Sequence, residues 1–359
     1  MQTAGAASPL TRYLATAYAL LIVYACLHPF TGWRDTGLPL FDYLVAPWPK
    51  YYRVEDIVLN VLGYIPLGFV LVPALPRRLG RVGAVVVTTL LAGMLSFSIE
   101  TTQNFLPSRI SANVDLGCNL LGGFVGAVLG ALWGHRLFDE RGWLHRWRSG
   151  RIVPGRSGDL GLILLGLWLL TQLMPEQLLF SSGDLRRMLQ IPTPLAFDPE
   201  RFITLEAMLV ATSMLAIGLL ARCMMRSGHP VPIVLLLLLA IGAKSLASLS
   251  FFVPGTPTAW LTPGTQNGLV AGAVLLGIAL MLPRIHQHAL AGLAMLVATT
   301  LANLIPENPY LAVGQRLLDR GNFLNFHGLT QFVASIWPFL ALAYLSALGL
   351  WRGEHLHER

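Results

Sequence analysis

The feature that most constrains this chain is a series of about ten continuous apolar runs, each close to 20 residues long. That is the length a helix needs to cross a bilayer hydrocarbon core of roughly 30 Å. Inside lipid every backbone N–H and C=O must be satisfied within the protein, so only helices and closed barrels span it. These runs are continuous rather than alternating, which selects helices. The spans fall near residues 11–29, 54–75, 81–99, 115–134, 159–178, 203–221, 230–252, 267–283, 288–305 and 330–350. The predicted fold class is all-α, a polytopic transmembrane helical bundle. Composition excludes an ordinary soluble domain: 54% of residues are hydrophobic and only 12% charged, against roughly 25% charged in soluble domains.

The basic residues set an expected orientation. Cytoplasmic loops collect Lys and Arg, and short loops carry the most weight. With the N-terminus inside, fifteen basic residues fall on the inner side and nine on the outer. The short loop around Arg77, Arg78 and Arg81 holds three positive charges and no acid. Both termini are therefore expected in the cytoplasm. The first run lacks a small-residue cleavage site and reads as a retained span. Cys26, Cys118 and Cys223 form no close-spaced motif and read as small packed residues. No disulfide framework, zinc site, metal or other cofactor is expected.

Most of the polar chemistry is concentrated in Glu100–Gly126, ETTQNFLPSRISANVDLGCNLLGGFVG. Glu100 and Gln103 close one apolar run, Pro107 and Arg109 lie in a polar break, and Asp115 and Asn119 open the next. On a helix Asp115, Asn119, Gly122 and Gly126 share one stripe, which implies close approach by another backbone or a ligand. The second span opens DIVLNVLG and the fourth DLGCNLLG. Both read D-x3-N-x2-G, with Asp56 and Asn60 matching Asp115 and Asn119 at an offset of 59. Both enter from the same side, so spans 1–2 and 3–4 form a parallel repeat of hairpins. Pro66 is expected to kink the second span.

The expected organisation is a four-helix membrane domain over 10–135, a basic amphipathic cytoplasmic linker over 136–158 and a second six-span region over 159–352. Trp143 and Trp147 interleave with arginines in the linker, which suits a lipid surface better than nucleic acid. In the second half, DLRRMLQI in the outer loop 179–202 suggests an interfacial helix. Lys244 lies inside the seventh span, where an ionisable residue is expensive; it is expected to snorkel outward or to pair with Glu206. Asn322, Asn325 and His327 are further candidates for the outer face.

The run Glu100-x2-Gln103-x3-Pro107-x-Arg109-x5-Asp115-x3-Asn119-x2-Gly122 resembles the signature of the VanZ-like membrane family, named for a teicoplanin-resistance protein. Asp56-x3-Asn60-x2-Gly63-x2-Pro66-x-Gly68 resembles its other motif. The resemblance covers roughly residues 10–135. It implies a four-span domain of the bacterial inner membrane and a role in the cell envelope, including glycopeptide-antibiotic tolerance. It supplies no reaction.

The expected site comprises Asp56, Asn60, Glu100, Gln103, Arg109, Asp115 and Asn119, with Glu100 and Asp115 as candidate catalytic groups. Three readings compete. In the first the residues are structural. Asp56 and Asp115 cap their helices, Asn60 and Asn119 bond across the hairpins, and Arg109 pairs with Glu100. In the second they bind or process an amphiphilic envelope molecule such as a lipid-linked precursor. Arg109 would grip a phosphate, and Glu100 or Asp115 would act as base or jointly hold a divalent cation. In the third the protein transports a small solute or lipid past Lys244 and Glu206. Membrane lipids are the expected partners in all three.

Overall fold

A computed structural model of the chain describes residues 9–28, 30–35, 37, 39–47, 54–107, 109–138, 142–153, 156–189, 191–226, 228–251, 256–306 and 327–357. Ten long helices dominate: α1 (Pro9–Leu27), α2 (Val54–Ala74), α3 (Gly80–Gln103), α4 (Asn113–Leu129), α5 (Arg156–Thr171), α6 (Pro199–Cys223), α7 (Val231–Phe251), α8 (Pro263–Leu280), α9 (Arg284–Leu304) and α10 (His327–His357). Nine are long and apolar enough to cross a membrane, and α5, with 16 residues, is shorter. The protein is thus an all-α, multi-pass membrane protein. Among the described residues the only β pairing is an isolated bridge between Ile152 and Met225.

Local chemistry sets the helix starts. Asp198 accepts a hydrogen bond from the Arg201 N–H (2.9 Å) with Pro199 in the first turn, and Thr262 does the same for Thr265 (3.1 Å) ahead of Pro263. A short polar acceptor followed by proline satisfies the orphan donors of a first turn. These caps begin α6 and α8 four residues before the limits that hydropathy alone suggests.

The described residues divide into two compact units, one ending at Arg148 and the other beginning at Ser149. In the first, α2 and α4 lie side by side and run in the same direction, with α1 against α2 and α3 against α4. The seam is built on glycine. A Cβ added at Gly122, Gly126 or Gly130 would collide with the carbonyl oxygen of Val61, Ile65 or Phe69 in turn. Glycine here lets two backbones touch, which in lipid replaces hydrophobic driving force with packing. Helix α2 runs unbroken through Pro66 and Pro73, and α4 continues through a π turn, Gly130–Gly134.

In the second unit α6 is central, with Leu209, Val210, Ala216, Ile217, Leu219 and Leu220 buried. Helices α8 and α9 pack on it, and Gly264, Gly268 and Gly272 bring α8 onto Ile203, Ala207 and Ala211. The stretch 136–158 contains a short helix, Trp143–Arg151. Trp143 and Trp147 stack (6.4 Å) on this nine-residue helix. The chain beyond it, however, is tied to the end of α6, with Val153 N–H donating to Met224 O (2.9 Å) and Arg226 N–H to Arg151 O (2.8 Å).

The fifth span departs most from expectation. Helix α5 stops at Thr171, and the expected outer loop turns back into the bundle. Met174, Leu179, Phe180, Ser181, Ser182 and Gly183 are all buried. Phe180 and Gly183 take the left-handed conformation (φ 63° and 93°). The side chain of Phe180 stacks on Trp168 (6.0 Å), and Phe180 lines a small cavity together with Ser213 and Met295, near the midpoints of α6 and α9. Irregular backbone survives at membrane depth only when its polar groups are satisfied, and here side chains do so. Gln172 Oε1 accepts from Phe180 N–H (2.9 Å), Trp168 donates to Phe180 O (3.2 Å), and Asn303 bonds both Gly183 O (2.7 Å) and Leu185 N–H (3.0 Å). Ser335 donates to Asp184 O (2.9 Å). The expected interfacial helix is a single turn, Arg186–Leu189. Arg186 is buried, bonded to Asp184 (3.1 Å) and Ala302 O (3.0 Å).

Candidate functional site

The polar residues of the first unit meet where α1 and α3 end and α2 and α4 begin. Glu100 and Gln103 occupy the last turns of α3 and are buried, Glu100 to 4% exposure. A short connection carries buried Arg109 to the start of α4. The Glu100 carboxylate accepts from Ala112 N–H (3.0 Å), and Ser111 donates to Glu100 O (2.6 Å). The connection is thereby folded onto the end of α3. Ala112 is the N-cap of α4 and has no side chain able to cap.

This arrangement corrects the expected capping role of Asp115. The helix begins at Asn113, so Asp115 lies inside its first turn, where the helix dipole favours an anion. It accepts a short bond from Asn60 Nδ2 (2.6 Å), which joins α4 to α2. One turn on, Asn119 donates to Ser96 Oγ (2.9 Å) and joins α4 to α3. Gln103 donates to Cys26 O (3.0 Å), and Arg109 to Ala25 O (3.4 Å) and His28 O (2.5 Å), so both hold the end of α1. Asp56 belongs to the first turn of α2, but its side chain, like Asn322, Asn325 and the His327 side chain, lies outside the described residues.

Three residues not singled out from sequence join the cluster. The Cys26 thiol is within electrostatic reach of Glu100, Arg109 and Asp115. Tyr64, buried on α2, lies within reach of Cys26, Ser96 and Glu100. Ser96, fully buried on α3, is the acceptor for Asn119. Each lies in an apolar run without a polar neighbour in sequence. The clue was positional: the end of the first span and the last turns of the third belong to the same side as the polar stretch.

One polar atom stands out. Asn119 is 5% exposed, and its Oδ1 is buried with no hydrogen-bond partner. Buried polar atoms are almost always satisfied. The cluster therefore contains a buried acceptor one turn along α4 from the Asp115 carboxylate.

Residues 10–134 match the VanZ/LLP1 family model. The N-terminal third is VanZ-like, and it carries all seven expected site residues. A prepilin leader peptidase/N-methyltransferase of Aeromonas hydrophila is 28% identical over 172 residues, covering 44% of this chain and 56% of that protein. The chain thus spans little more than half the length of that relative. No solved structure matches it. Together these place the chain among membrane proteins of the cell envelope.

In the second unit the expected pairing of Lys244 with Glu206 gives way to other partners. Lys244 is 2% exposed and does not snorkel. It donates to Met174 O (2.7 Å), Pro175 O (3.1 Å) and Gln177 O. Glu206, fully buried on α6, accepts from Thr262 Oγ1 (2.6 Å) and Thr265 Oγ1 (3.0 Å) at the start of α8. Among the described residues no group of three His, Cys, Asp or Glu side chains is placed to hold a metal ion.

Proposed function

We propose that the VanZ-like unit binds the polar head of an amphiphilic cell-envelope molecule, such as a lipid-linked cell-wall or polysaccharide precursor. The observation that carries this is the buried Asn119 Oδ1, which has no hydrogen-bond partner and lies one turn along α4 from Asp115. A ligand hydroxyl or amide would supply the missing donor. The positive-inside rule puts this end of the unit at the outer face of the cytoplasmic membrane, where such precursors are used. Retention of an envelope precursor there would lower sensitivity to glycopeptide antibiotics.

The geometry favours binding over bond cleavage. Glu100 is held by Ala112 N–H and Asp115 by Asn60 Nδ2, and Arg109 is bonded to the carbonyls of Ala25 and His28. Arg109 then contributes charge and positions α1 rather than gripping a phosphate with its whole fork. A structural or assembly role is the second reading. It is favoured by the same bonds, which join α1, α2, α3 and α4 at one end.

The test is native mass spectrometry of the gently purified protein, comparing wild type with Asn119→Ala and Glu100→Gln. An amphiphile mass carried by wild type and lost from a folded variant supports binding. Identical spectra from equally folded proteins would transfer the weight to the structural reading.

A further inference from the structure

The broken fifth crossing contains a cluster that the VanZ-like unit does not explain. Helix α5 ends at Thr171, and three carbonyls from the unwound chain just beyond it, those of Met174, Pro175 and Gln177, converge on one point. The carbonyl end of a helix carries the negative end of its dipole. Unwound carbonyls beside a half-helix C-terminus, buried in a membrane bundle, are the arrangement with which transporters coordinate Na⁺. Rings of such carbonyls replace the hydration shell of a K⁺ ion in channels. Here the convergence point holds the ammonium of Lys244, delivered from α7 at 2% exposure.

We propose that the segment after α5 is a monovalent-cation site whose ion has been replaced by a tethered one, the Lys244 ammonium. The replacement fits both chemically and sterically. An ammonium carries the same single positive charge as Na⁺ or K⁺ and directs three N–H donors, which matches three carbonyl acceptors. Held on a buried four-carbon stem, it cannot dissociate when the ion composition outside changes. The irregular segment from Gln172 to Arg186, with left-handed Phe180 at its tip, is thereby locked at membrane depth in any salt.

The prediction is a conversion of the second unit from ion-independent to ion-dependent. The full chain is purified in detergent, and its melting temperature is measured in sodium, potassium, ammonium and choline chlorides at equal ionic strength. Wild type is expected to melt at the same temperature in all four. Lys244→Ala leaves the three carbonyls facing a vacated space. It is expected to melt lower in choline, which is too large to enter, and to recover by about 3 °C or more in at least one small cation. Lys244→Ala melting identically in all four salts would overturn the proposal, as would a wild type that itself requires a small cation. If Lys244→Ala does not survive extraction, the comparison is made in native membranes by limited proteolysis, with Lys244→Gln alongside. Protection of either variant by ammonium or sodium but not choline supports the site, and salt-independent cleavage of both overturns it.

Discussion

Glu100 shows how one side chain can be separated into a structural and a charged role. Its carboxylate receives the Ala112 N–H at the cap of α4, and a buried donor left unmet costs about 1–3 kcal/mol. Glu100→Ala should therefore lower thermal stability clearly, whereas Glu100→Gln keeps an acceptor oxygen in place and should stay near wild type. A melting curve of each purified variant distinguishes them, and equal losses would mean that the charge itself holds the fold. Asp115 behaves in the same way toward Asn60. Asp115→Asn retains the acceptor and should be mild, while Asp115→Ala should cost about 0.6 kcal/mol and at most about 2 kcal/mol, from the mean and upper values measured for interhelical bonds in lipid. A loss several times larger would point to a charge network rather than a single bond. At this level the sequence was legible where polar residues cluster: Glu100, Gln103, Arg109, Asp115 and Asn119 all converge. It was not legible for Cys26, Tyr64 and Ser96, because an isolated polar side chain in an apolar helix carries no sign of its facing partner. It also misassigned Asp115, since a backbone N–H captured from the preceding loop by Glu100 leaves no trace in local spacing.

Among the helices, the D-x3-N-x2-G match at the starts of α2 and α4 agrees with their running in the same direction, but it does not contain their register. Gly122, Gly126 and Gly130 fall on the carbonyl oxygens of Val61, Ile65 and Phe69, an offset of 61 at each rather than 59. Gly126→Ala should force the pair apart, because the added Cβ meets the Ile65 backbone rather than a side chain that can yield. Gly117, on the same helix, has open space where a methyl would be added, with nothing within 4 Å. Gly117→Ala should therefore be neutral or raise stability by about 0.5–1 kcal/mol through reduced chain entropy. The melting temperatures of these two variants, measured side by side, check whether the seam or generic helix propensity governs α4. The end of the fifth span was misread. Residues 160–170 are apolar throughout, but the expected span was extended over Thr171–Leu178, TQLMPEQL, where four polar residues and Pro175 disfavour a continued helix. What holds the unwound chain is the supply of partners from distant positions, namely Lys244, Asn303 and Ser335. Their role becomes visible only when α7, α9 and α10 are assembled around the segment.

For the whole molecule the broken crossing decides topology. Counting long apolar helices among the described residues gives nine, an odd number that would put the two ends of the chain on opposite sides. The bonding in the second unit argues for ten crossings. Ile152, before α5, is bridged to Met225, after α6, so the chain leaves and returns at the same end of the unit. Helix α6 spans 25 residues, about 37 Å at 1.5 Å per residue, and must begin at the far end. We therefore predict that the chain crosses once between Ile152 and Pro199, by a helix of about 24 Å completed by the segment that Lys244, Asn303 and Ser335 hold. With Cys26, Cys118 and Cys223 replaced by alanine, single cysteines at Gly150, an exposed helical position with open space around it, and at exposed Ile191 test this directly. In right-side-out vesicles an impermeant maleimide should label Ile191→Cys at once and Gly150→Cys only after permeabilisation. Labelling of both from one side would mean that α5 re-enters without crossing. The reversed pattern would keep the crossing but invert the orientation drawn from Arg77, Arg78 and Arg81, moving the Glu100 cluster to the cytoplasmic face and away from the precursors it is proposed to bind.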